Sequence, residues 1–114
     1  MGQRMRSDTG ELLQGTLAIL VLKALLAGPA HGYGIARWIE QCTDDVLRVE
    51  EGSLYPALQR MRQKGWIRAE WRKTPNNQRA RYYTITPDGR EQLGEEQDGF
   101  AELIAAVQRV LRLT

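Results

Sequence analysis

Cysteine and histidine are almost absent from this 114-residue chain, which has one of each, Cys42 and His31. A single cysteine excludes an internal disulfide, and we expect a small packed side chain rather than a redox sensor. His31 has no second metal ligand three or four residues away, so we predict that it caps or packs, with no metal and no cofactor bound. Because no nucleophile stands beside a base, the sequence also predicts that the chain is not an enzyme.

Long apolar runs, signal peptides and lipidation sites are missing as well. The longest apolar stretch, residues 17–22, is interrupted by Lys23 and is too short to span a membrane. We therefore expect a cytoplasmic protein with no membrane partner. The chain has no internal repeat, and its length fits one domain.

Charge is low in total but strongly segregated. The net charge is +2, yet between Arg60 and Arg81 eight arginine and lysine residues stand against the single acid Glu70. These 22 residues carry +7, so the other 92 carry −5. Segregation of this kind is typical of a surface that binds a polyanion.

The spacing of apolar residues predicts two helices in the first part of the chain. From Thr9 or Glu11 to Leu26, apolar side chains cover most of a helical wheel, which is typical of a helix buried on several sides. The second helix is predicted from Gly34 or Ile35 to Cys42. Ile35 and Ile39 are expected to face inward, with Trp38 as a third candidate. Arg37 and Glu40 are expected to face outward.

A third helix is predicted at residues 51–65, with a start at Gly52 and Ser53, Pro56 in its first turn and Gly65 at its end. An apolar stripe at residues 54, 58 and 61 would face the core. The other side carries groups that reach phosphates and base edges: Tyr55, Gln59, Arg60, Arg62, Gln63 and Lys64. The alternative is a surface helix whose polar face is only solvated.

After Gly65 the period of the pattern changes from about 3.6 residues to 2. Residues 66–73 and 79–85 alternate around a turn-rich connector at 74–78, which predicts an antiparallel hairpin with a basic tip. One of Tyr82 and Tyr83 must face inward. A short strand is also predicted at residues 46–49. The expected fold is mainly α with a small antiparallel β-hairpin: a flexible N-terminus (1–8) and a winged helix-turn-helix domain (9–85).

A final helix begins at Thr86-Pro-Asp-Gly89, where Thr86 is the predicted N-cap, and forms a C-terminal dimerisation helix in residues 86–114. Its apolar residues keep a seven-residue spacing, which is typical of a coiled-coil seam. We therefore predict a homodimer; the alternative is that the helix packs on its own domain. The predicted dimer contacts are Leu12, Leu13, Leu93, Phe100, Leu103, Ile104, Val107, Val110 and Leu111.

Five fragments in order resemble the PadR family of bacterial transcriptional regulators, over about residues 12–93. They are Gly15-Thr-Leu17 with Ile19-Leu-Val-Leu22, Gly28-Pro-Ala-His-Gly-Tyr33, Glu50-Glu-Gly-Ser-Leu-Tyr-Pro-Ala-Leu58, Gly65-Trp-Ile67 and Arg81-Tyr-Tyr-Thr-Ile-Thr-Pro-Asp-Gly89. The short last helix is similar to a compact subgroup. The resemblance implies a winged-helix dimer that represses transcription at a palindromic double-stranded operator and is often released by a small aromatic or cationic ligand.

The predicted DNA contacts divide by chemistry. Gln59 and Gln63 suit adenine edges, and Arg60 or Arg62 suits guanine. Phosphate contacts are expected at the start of the third helix and along the hairpin, and the resemblance adds Tyr33. The full set is Tyr33, Ser53, Tyr55, Lys73, Asn76, Asn77, Gln78, Arg79 and Arg81.

Two other functions compete with this one. The basic hairpin could dock an acidic protein partner, which would make the chain a winged-helix interaction module without sequence-specific DNA binding. A ligand sensor is compatible with DNA binding, since Trp38, Trp66 and Trp71 could line a pocket for an aromatic effector between subunits. Of these three tryptophans, Trp66 is expected to pack in the core.

Overall fold

The fold is a three-helix domain closed by a small sheet and followed by one long helix. The computed structural model describes the backbone of residues 6–113 and the side chains of residues 16–113. Its elements are α1 (Arg6–Leu25), β1 (Ala30–His31), α2 (Gly32–Cys42), α3 (Glu51–Gln63), β2 (Ile67–Lys73), β3 (Arg79–Ile85) and α4 (Pro87–Leu111). The predicted winged helix-turn-helix fold, mainly α with an antiparallel hairpin, is confirmed.

Helix α1 begins at Arg6, before the predicted start at Thr9 or Glu11. The segment predicted to be flexible, residues 1–8, therefore overlaps its first turn, and residues 1–5 lie outside the described residues. Apolar periodicity locates the body of a helix better than its first residue. The side chains of Leu12 and Leu13, two predicted dimer contacts, also lie outside the described residues.

The sheet has a third strand that the sequence did not indicate. Strand β1 pairs antiparallel with β3, opposite Tyr82 and Tyr83, so the strand order is β1-β3-β2. Strands β2 and β3 form the predicted hairpin, in the register that sets Ile67 opposite Ile85 and Lys73 opposite Arg79.

The predicted strand at residues 46–49 is wrong, because this segment is a loop. Its backbone N–H groups find side-chain acceptors instead of a neighbouring strand. Leu47 N–H donates to the Thr43 hydroxyl oxygen at 3.1 Å, and Val49 N–H donates to Glu40 Oε2 at 3.0 Å. Glu40, predicted to face outward, is therefore partly buried and holds this loop against α2.

The hydrophobic core lies where α1, α2, α3 and the sheet meet. Ile35 and Ile39 face it as predicted, whereas Trp38 is 38% exposed because it lies about 100° around the helix from Ile39. None of the helices in the described residues is long and apolar enough to cross a membrane. The largest fully buried side chains are Leu17, Val21, Leu22, Leu25, Ile35, Ile39, Leu54, Leu58 and Ile67.

Thr86 joins the end of α3 to the hairpin and to α4. Gly65 ends α3 with a φ of 79°, the left-handed conformation predicted for it. The Thr86 hydroxyl donates to the Gly65 carbonyl at 2.6 Å, and its oxygen accepts the Gly89 N–H at 3.0 Å, as an N-cap should. The Trp66 carbonyl accepts the Thr86 N–H at 3.0 Å. Three elements are thereby fixed at one buried residue.

Helix α4 has two halves in different environments. Leu93, predicted as a dimer contact, is only 4% exposed and belongs to the core of its own domain, so that part of the prediction is wrong. The seven-residue spacing continues past it, but from Phe100 onward the stripe is exposed among the residues that the structure describes. We call these side chains the seam; they are 38–76% exposed and comprise Phe100, Leu103, Ile104, Val107, Val110 and Leu111.

Gly89 lets the first turn of α4 touch the hairpin. A Cβ at this position would collide with the Trp66 carbonyl oxygen and would lie 2.9 Å from Ile85 Cγ1. Backbone cannot move aside as a flexible side chain can, so only glycine fits. Gly94, one and a half turns further along the same helix, has nothing within 4 Å of such a Cβ.

We predict that Gly89→Ala and Gly94→Ala change stability in opposite directions. Gly89→Ala should lower the free energy of unfolding by about 1–3 kcal/mol through overpacking. Gly94→Ala should raise it by about 0.5–1 kcal/mol, since alanine is the better helix former. Urea denaturation of both variants is the measurement, and stabilisation by Gly89→Ala would contradict the close packing of α4 on the hairpin.

Candidate nucleic-acid interface

Helix α3 presents a polar face on the side opposite its buried stripe. Gly52, Pro56, Gln59 and Gln63 follow the spacing i, i+4, i+7 and i+11, which sets them along the middle of that face. The first two have no long side chain, and the two glutamines extend from the C-terminal half. The N-terminal half of this face therefore carries no long side chain along its middle, and the C-terminal half carries two amides.

The start of α3 differs from the prediction. The N–H groups of Ser53 and Leu54 both donate to the Glu50 carbonyl, at 3.0 and 2.9 Å, so Glu50 is the N-cap residue and the helix begins at Glu51. Ser53 is inside the first turn rather than at the boundary. Pro56 is then in the second turn, where its missing N–H costs the bond to the exposed Gly52 carbonyl, which water can satisfy.

Gln59 and Arg62 form a pair on the exposed face. Arg62 Nη1 donates to Gln59 Oε1 at 3.1 Å, which fixes the amide and the guanidinium side by side. The pair presents N–H donors outward, and guanine N7 and O6 are both acceptors. Gln59 Oε1 keeps a second lone pair, and Nε2 keeps its donors, so the amide can still pair with adenine.

A cleft of about 1170 Å³ separates the hairpin from the starts of α2 and α3. We call β2, β3 and the loop at residues 74–78 the wing. Among the described residues that line the cleft, none is acidic. Its walls carry aromatic and cationic side chains from all three sides: Tyr33, Arg37, Tyr55, Trp71, Arg79 and Arg81.

Tyr55 forms the floor of the cleft by packing on Gly32. A Cβ on Gly32 would lie 2.6 Å from the Tyr55 hydroxyl oxygen, so the tyrosine occupies space that any other residue at 32 would fill. Burial, together with the negative charge of Glu51, raises the pKa of Tyr55 above its ordinary value. The hydroxyl therefore stays protonated at neutral pH and can donate a hydrogen bond to an anion.

His31 caps α2, in agreement with its predicted role. Its Nδ1 accepts the Gly34 N–H at 3.0 Å, and its ring meets Tyr82 edge-on at a centroid distance of 5.2 Å. In the part of the chain that the structure describes, no three His, Cys, Asp or Glu side chains come together as metal ligands would. Helix α2 therefore begins at Gly32, one residue before Tyr33. Tyr33 is exposed at the mouth of the cleft.

The tip of the wing is held by Thr74. Its N–H donates to the Gln78 carbonyl at 2.6 Å, and its hydroxyl oxygen accepts the Gln78 N–H at 3.1 Å. The same hydroxyl donates to Asn76 Oδ1 at 2.6 Å. Asn77 adopts a left-handed φ of 64°. The tip is thus a fixed turn with exposed amide side chains.

The predicted contact residues fall into two groups and a remainder. The exposed face of α3 carries Gln59, Gln63, Arg60 and the partly buried Arg62. The cleft brings together Tyr33, Tyr55, Asn76, Gln78, Arg79 and Arg81. Neither group includes Ser53, Lys73 or Asn77: Ser53 is half-buried in α3, and the other two are exposed at the end of the wing.

Arg37 lines the cleft but was not predicted to contact a ligand. It follows Tyr33 by four residues, the spacing that sets two side chains on one helix face, and this signal was available in the sequence. Of the three tryptophans predicted to form a ligand pocket, Trp71 alone lines the cleft within one chain. Trp66 packs against the core as expected, with Lys64 Nζ 4.8 Å from its ring centroid.

Comparison with known proteins agrees with this architecture. Residues 21–95 match the sequence model of the transcriptional regulator PadR-like family. A PadR family transcriptional regulator from Eggerthella lenta is 29% identical, with a TM-score of 0.77 over 96% of this chain and 94% of that one. A PadR-like transcriptional regulator from Bacillus cereus is 26% identical, with a TM-score of 0.76 over 91% and 99%.

One relative is much longer than this chain. An uncharacterised 37.1 kDa protein in a Streptomyces fradiae transposon is 42% identical over 89 residues. The match covers 78% of this chain but only 24% of that protein.

We predict that Gly32→Ala weakens DNA binding without unfolding the protein. The new methyl group should push Tyr55 out of the floor of the cleft, and an exposed tyrosine can rotate away at little cost in stability. Affinity for all duplex sequences should fall by about three- to tenfold, as for loss of a phosphate contact. Gly34→Ala is the matched control, because its Cβ would come only within 3.4 Å of His31. Equal binding by the two variants in a gel shift would exclude a role for Tyr55.

Proposed function

We propose that this chain, which belongs to the PadR-like family of transcriptional regulators, is a homodimeric repressor that binds a specific double-stranded DNA operator. Regulators of this family bind DNA and are typically dimeric, and they are not enzymes. The observation that carries the proposal is the exposed amide face of α3 beside a cleft whose lining holds three arginines and no acid.

Helix α3 has the dimensions and chemistry of a major-groove reader. The major groove is about 12 Å wide and admits one helix, with base edges within reach of side chains on the exposed face. We assign base contacts to Gln59, Arg62 and Gln63, with Arg60 on the opposite edge of the same face. The Gln59 amide suits adenine, and the remaining N–H donors of Arg62 suit the acceptors of guanine.

The cleft would hold the phosphate backbone that borders this groove. Tyr33 and Tyr55 can donate hydroxyl protons to phosphate oxygens, and Arg79 and Arg81 supply charge from the wing. The amides at the tip of the wing, Asn76, Asn77 and Gln78, then extend over the flanking backbone or minor groove, with Lys73 beside them. Ser53 is the weakest of the assignments, since it is half-buried within the helix.

The seam on α4 supports a homodimer. Its residues keep a and d spacing over two heptads and are exposed in the part of the chain that the structure describes, an arrangement typical of a helix that packs on a partner helix. A second copy would bring a second α3 to the same side of the DNA. Two such helices in a symmetric dimer lie about 34 Å apart, one turn of the duplex.

Repression and release by a ligand rest on the resemblance to the family rather than on contacts within this chain. Release by a small aromatic ligand stays a prediction outside this proposal, because the pocket predicted from Trp38, Trp66 and Trp71 lies between subunits and a single protomer does not test it. The competing function, a module that docks an acidic protein, would use the same basic wing. It predicts salt-sensitive binding with no preference for DNA sequence, whereas the exposed face of α3 is suited to distinguish bases.

We predict that Gln59→Ala and Arg79→Ala have different effects on DNA recognition. Gln59→Ala should relax the preference at one or two base pairs, by about 1–3 kcal/mol of discrimination. Arg79→Ala should weaken all sequences equally and reduce the salt dependence of binding, since it removes a phosphate contact. Binding-site selection from random duplexes with each variant measures both effects. The same loss of specificity in the two variants would contradict the division between α3 and the wing.

We predict that Val107→Glu separates the dimer. A charge in the middle of the seam would be buried without a partner, which costs several kcal/mol in an interface. Ala105→Glu is the control, because Ala105 is exposed on the opposite side of α4. Sedimentation analysis should show a monomer for Val107→Glu and a dimer for Ala105→Glu and the unaltered protein. A dimer that survives Val107→Glu would place the interface elsewhere.

A further inference from the structure

Trp71 is a large aromatic side chain that does not pack in the hydrophobic core. It lies on β2 of the wing with 57% of its surface exposed, whereas Trp66 at the base of the wing packs against the core. Its ring lines the cleft opposite the starts of α2 and α3. An exposed tryptophan inside a cationic cleft is more often part of a binding surface than of the fold.

The ring of Trp71 positions two arginines. Trp71 lies directly opposite Arg81 in the hairpin ladder, and Arg79 lies two residues along β3 on the same face of the sheet. The guanidinium carbons of Arg79 and Arg81 lie 5.2 and 5.5 Å from the centroid of the indole ring. Both distances are within the range of cation–π contacts. The two guanidinium groups are therefore held along the inner face of the wing.

The charges on this inner face are not neutralised by the protein. Neither Arg79 nor Arg81 forms an ion pair with a carboxylate among the described residues. Arg81 Nε is buried and has no hydrogen-bond partner in the same part of the chain. Arg81 thus keeps its charge without a protein acceptor at Nε, and it lines a cleft in which an anion would be the strongest acceptor for a guanidinium.

The outer face of the wing has the opposite arrangement. Arg72 Nε donates to Glu70 Oε2, so this cation already has a carboxylate partner. The same guanidinium lies 5.5 Å from the ring centroid of Tyr82. The outer face thus uses the same kind of cation–π contact, with Glu70 paired to one of its two arginines, Arg68 and Arg72. On the inner face no carboxylate among the described residues pairs with Arg79 or Arg81.

We propose that Trp71 is itself a DNA-contact residue. Its exposed ring packs against the deoxyribose wall of the minor groove that flanks the site of α3, while Arg79 and Arg81 bind the phosphates beside that sugar. Apolar side chains commonly make such contacts in the minor groove, and the indole presents a flat apolar surface that suits a sugar face. This inference rests on the proposed function and adds to it a residue that recognises the flanking duplex.

The shape of the cleft favours DNA over a small ligand. Its volume of about 1170 Å³ exceeds the ~300–1,000 Å³ of ordinary small-molecule sites. It is open along its length, between the wing and two helix starts, as a groove for a continuous chain would be. The absence of acids from its lining also makes a cationic ligand or a basic peptide a poor occupant.

The test uses two duplexes that carry the site selected from random DNA by the unaltered protein. The long duplex extends about one helical turn beyond each half-site, and the short one ends at the last base pair within reach of α3. Trp71→Ala is compared with the unaltered protein and with Trp38→Ala, which removes a tryptophan that lies outside the cleft. Urea denaturation of each variant confirms that it folds.

On the long duplex Trp71→Ala should bind about tenfold more weakly than the unaltered protein. On the short duplex the two should bind equally, and Trp38→Ala should match the unaltered protein on both. The tryptophan emission of the unaltered protein should also change on the long duplex, a change lost in Trp71→Phe but kept in Trp38→Phe.

Three results would overturn the inference. Equal binding of the long duplex by Trp71→Ala and the unaltered protein would show that the ring makes no contact. An equal loss on both duplexes would show that Trp71 acts on the fold or on α3 instead of on the flank. If the unaltered protein selects no site at all, the proposed function fails first, and this outcome is distinct from the other two.

Discussion

The relative position of α3, the wing and α4 depends on the packing of backbone around the Trp66 carbonyl. Gly89 allows the first turn of α4 to lie directly on that carbonyl, and Thr86 bonds to it and to Gly65. The end of α3, the base of the wing and the start of α4 are therefore held together by two main-chain contacts and by the Thr86 hydroxyl. Because a main-chain contact cannot adjust as a side chain does, the first turn of α4 has one close-packed position against the base of the wing.

The second constraint is electrostatic. A chain with a net charge of only +2 concentrates its cations between Arg60 and Arg81, and the fold divides them between the α3 face and the wing. On the wing, aromatic rings hold guanidinium groups on both faces, but among the described residues the ion pair of the wing, Glu70 with Arg72, lies on the outer face. The result is a cleft in which cations are positioned before any ligand arrives, which lowers the ordering cost of binding an anionic backbone.

Several elements could be predicted from sequence because their signals are local. The change of period at Gly65, the Thr86 cap and the buried stripe of α3 each depend on residues within a few positions of one another. Strand β1 and the loop at residues 46–49 could not be predicted this way. The first exists through pairing with β3, some fifty residues away, and the second through a bond from Glu40. Leu93 shows a related limit, since a seven-residue period does not distinguish a domain core from an interface.

The same distinction between local and long-range signals applies to the candidate site. The exposed face of α3 follows from helical spacing alone, so Gln59, Gln63, Arg60 and Arg62 could be selected from the sequence. The cleft could not, because it is built by three elements whose relative positions depend on the junction at Thr86. Arg37 could be set on the same helix face as Tyr33 from its spacing, but the positions of Arg37 and Trp71 in the cleft became visible only when those elements were placed together.

Selection of binding sites from random duplex DNA by the purified full chain tests the central claim most directly. A dimer that reads DNA through two copies of α3 should enrich an inverted repeat with half-sites centred one helical turn apart, about 10 base pairs. Binding that falls with salt but enriches no sequence would contradict it, and would identify the basic wing as a surface for a different acidic partner.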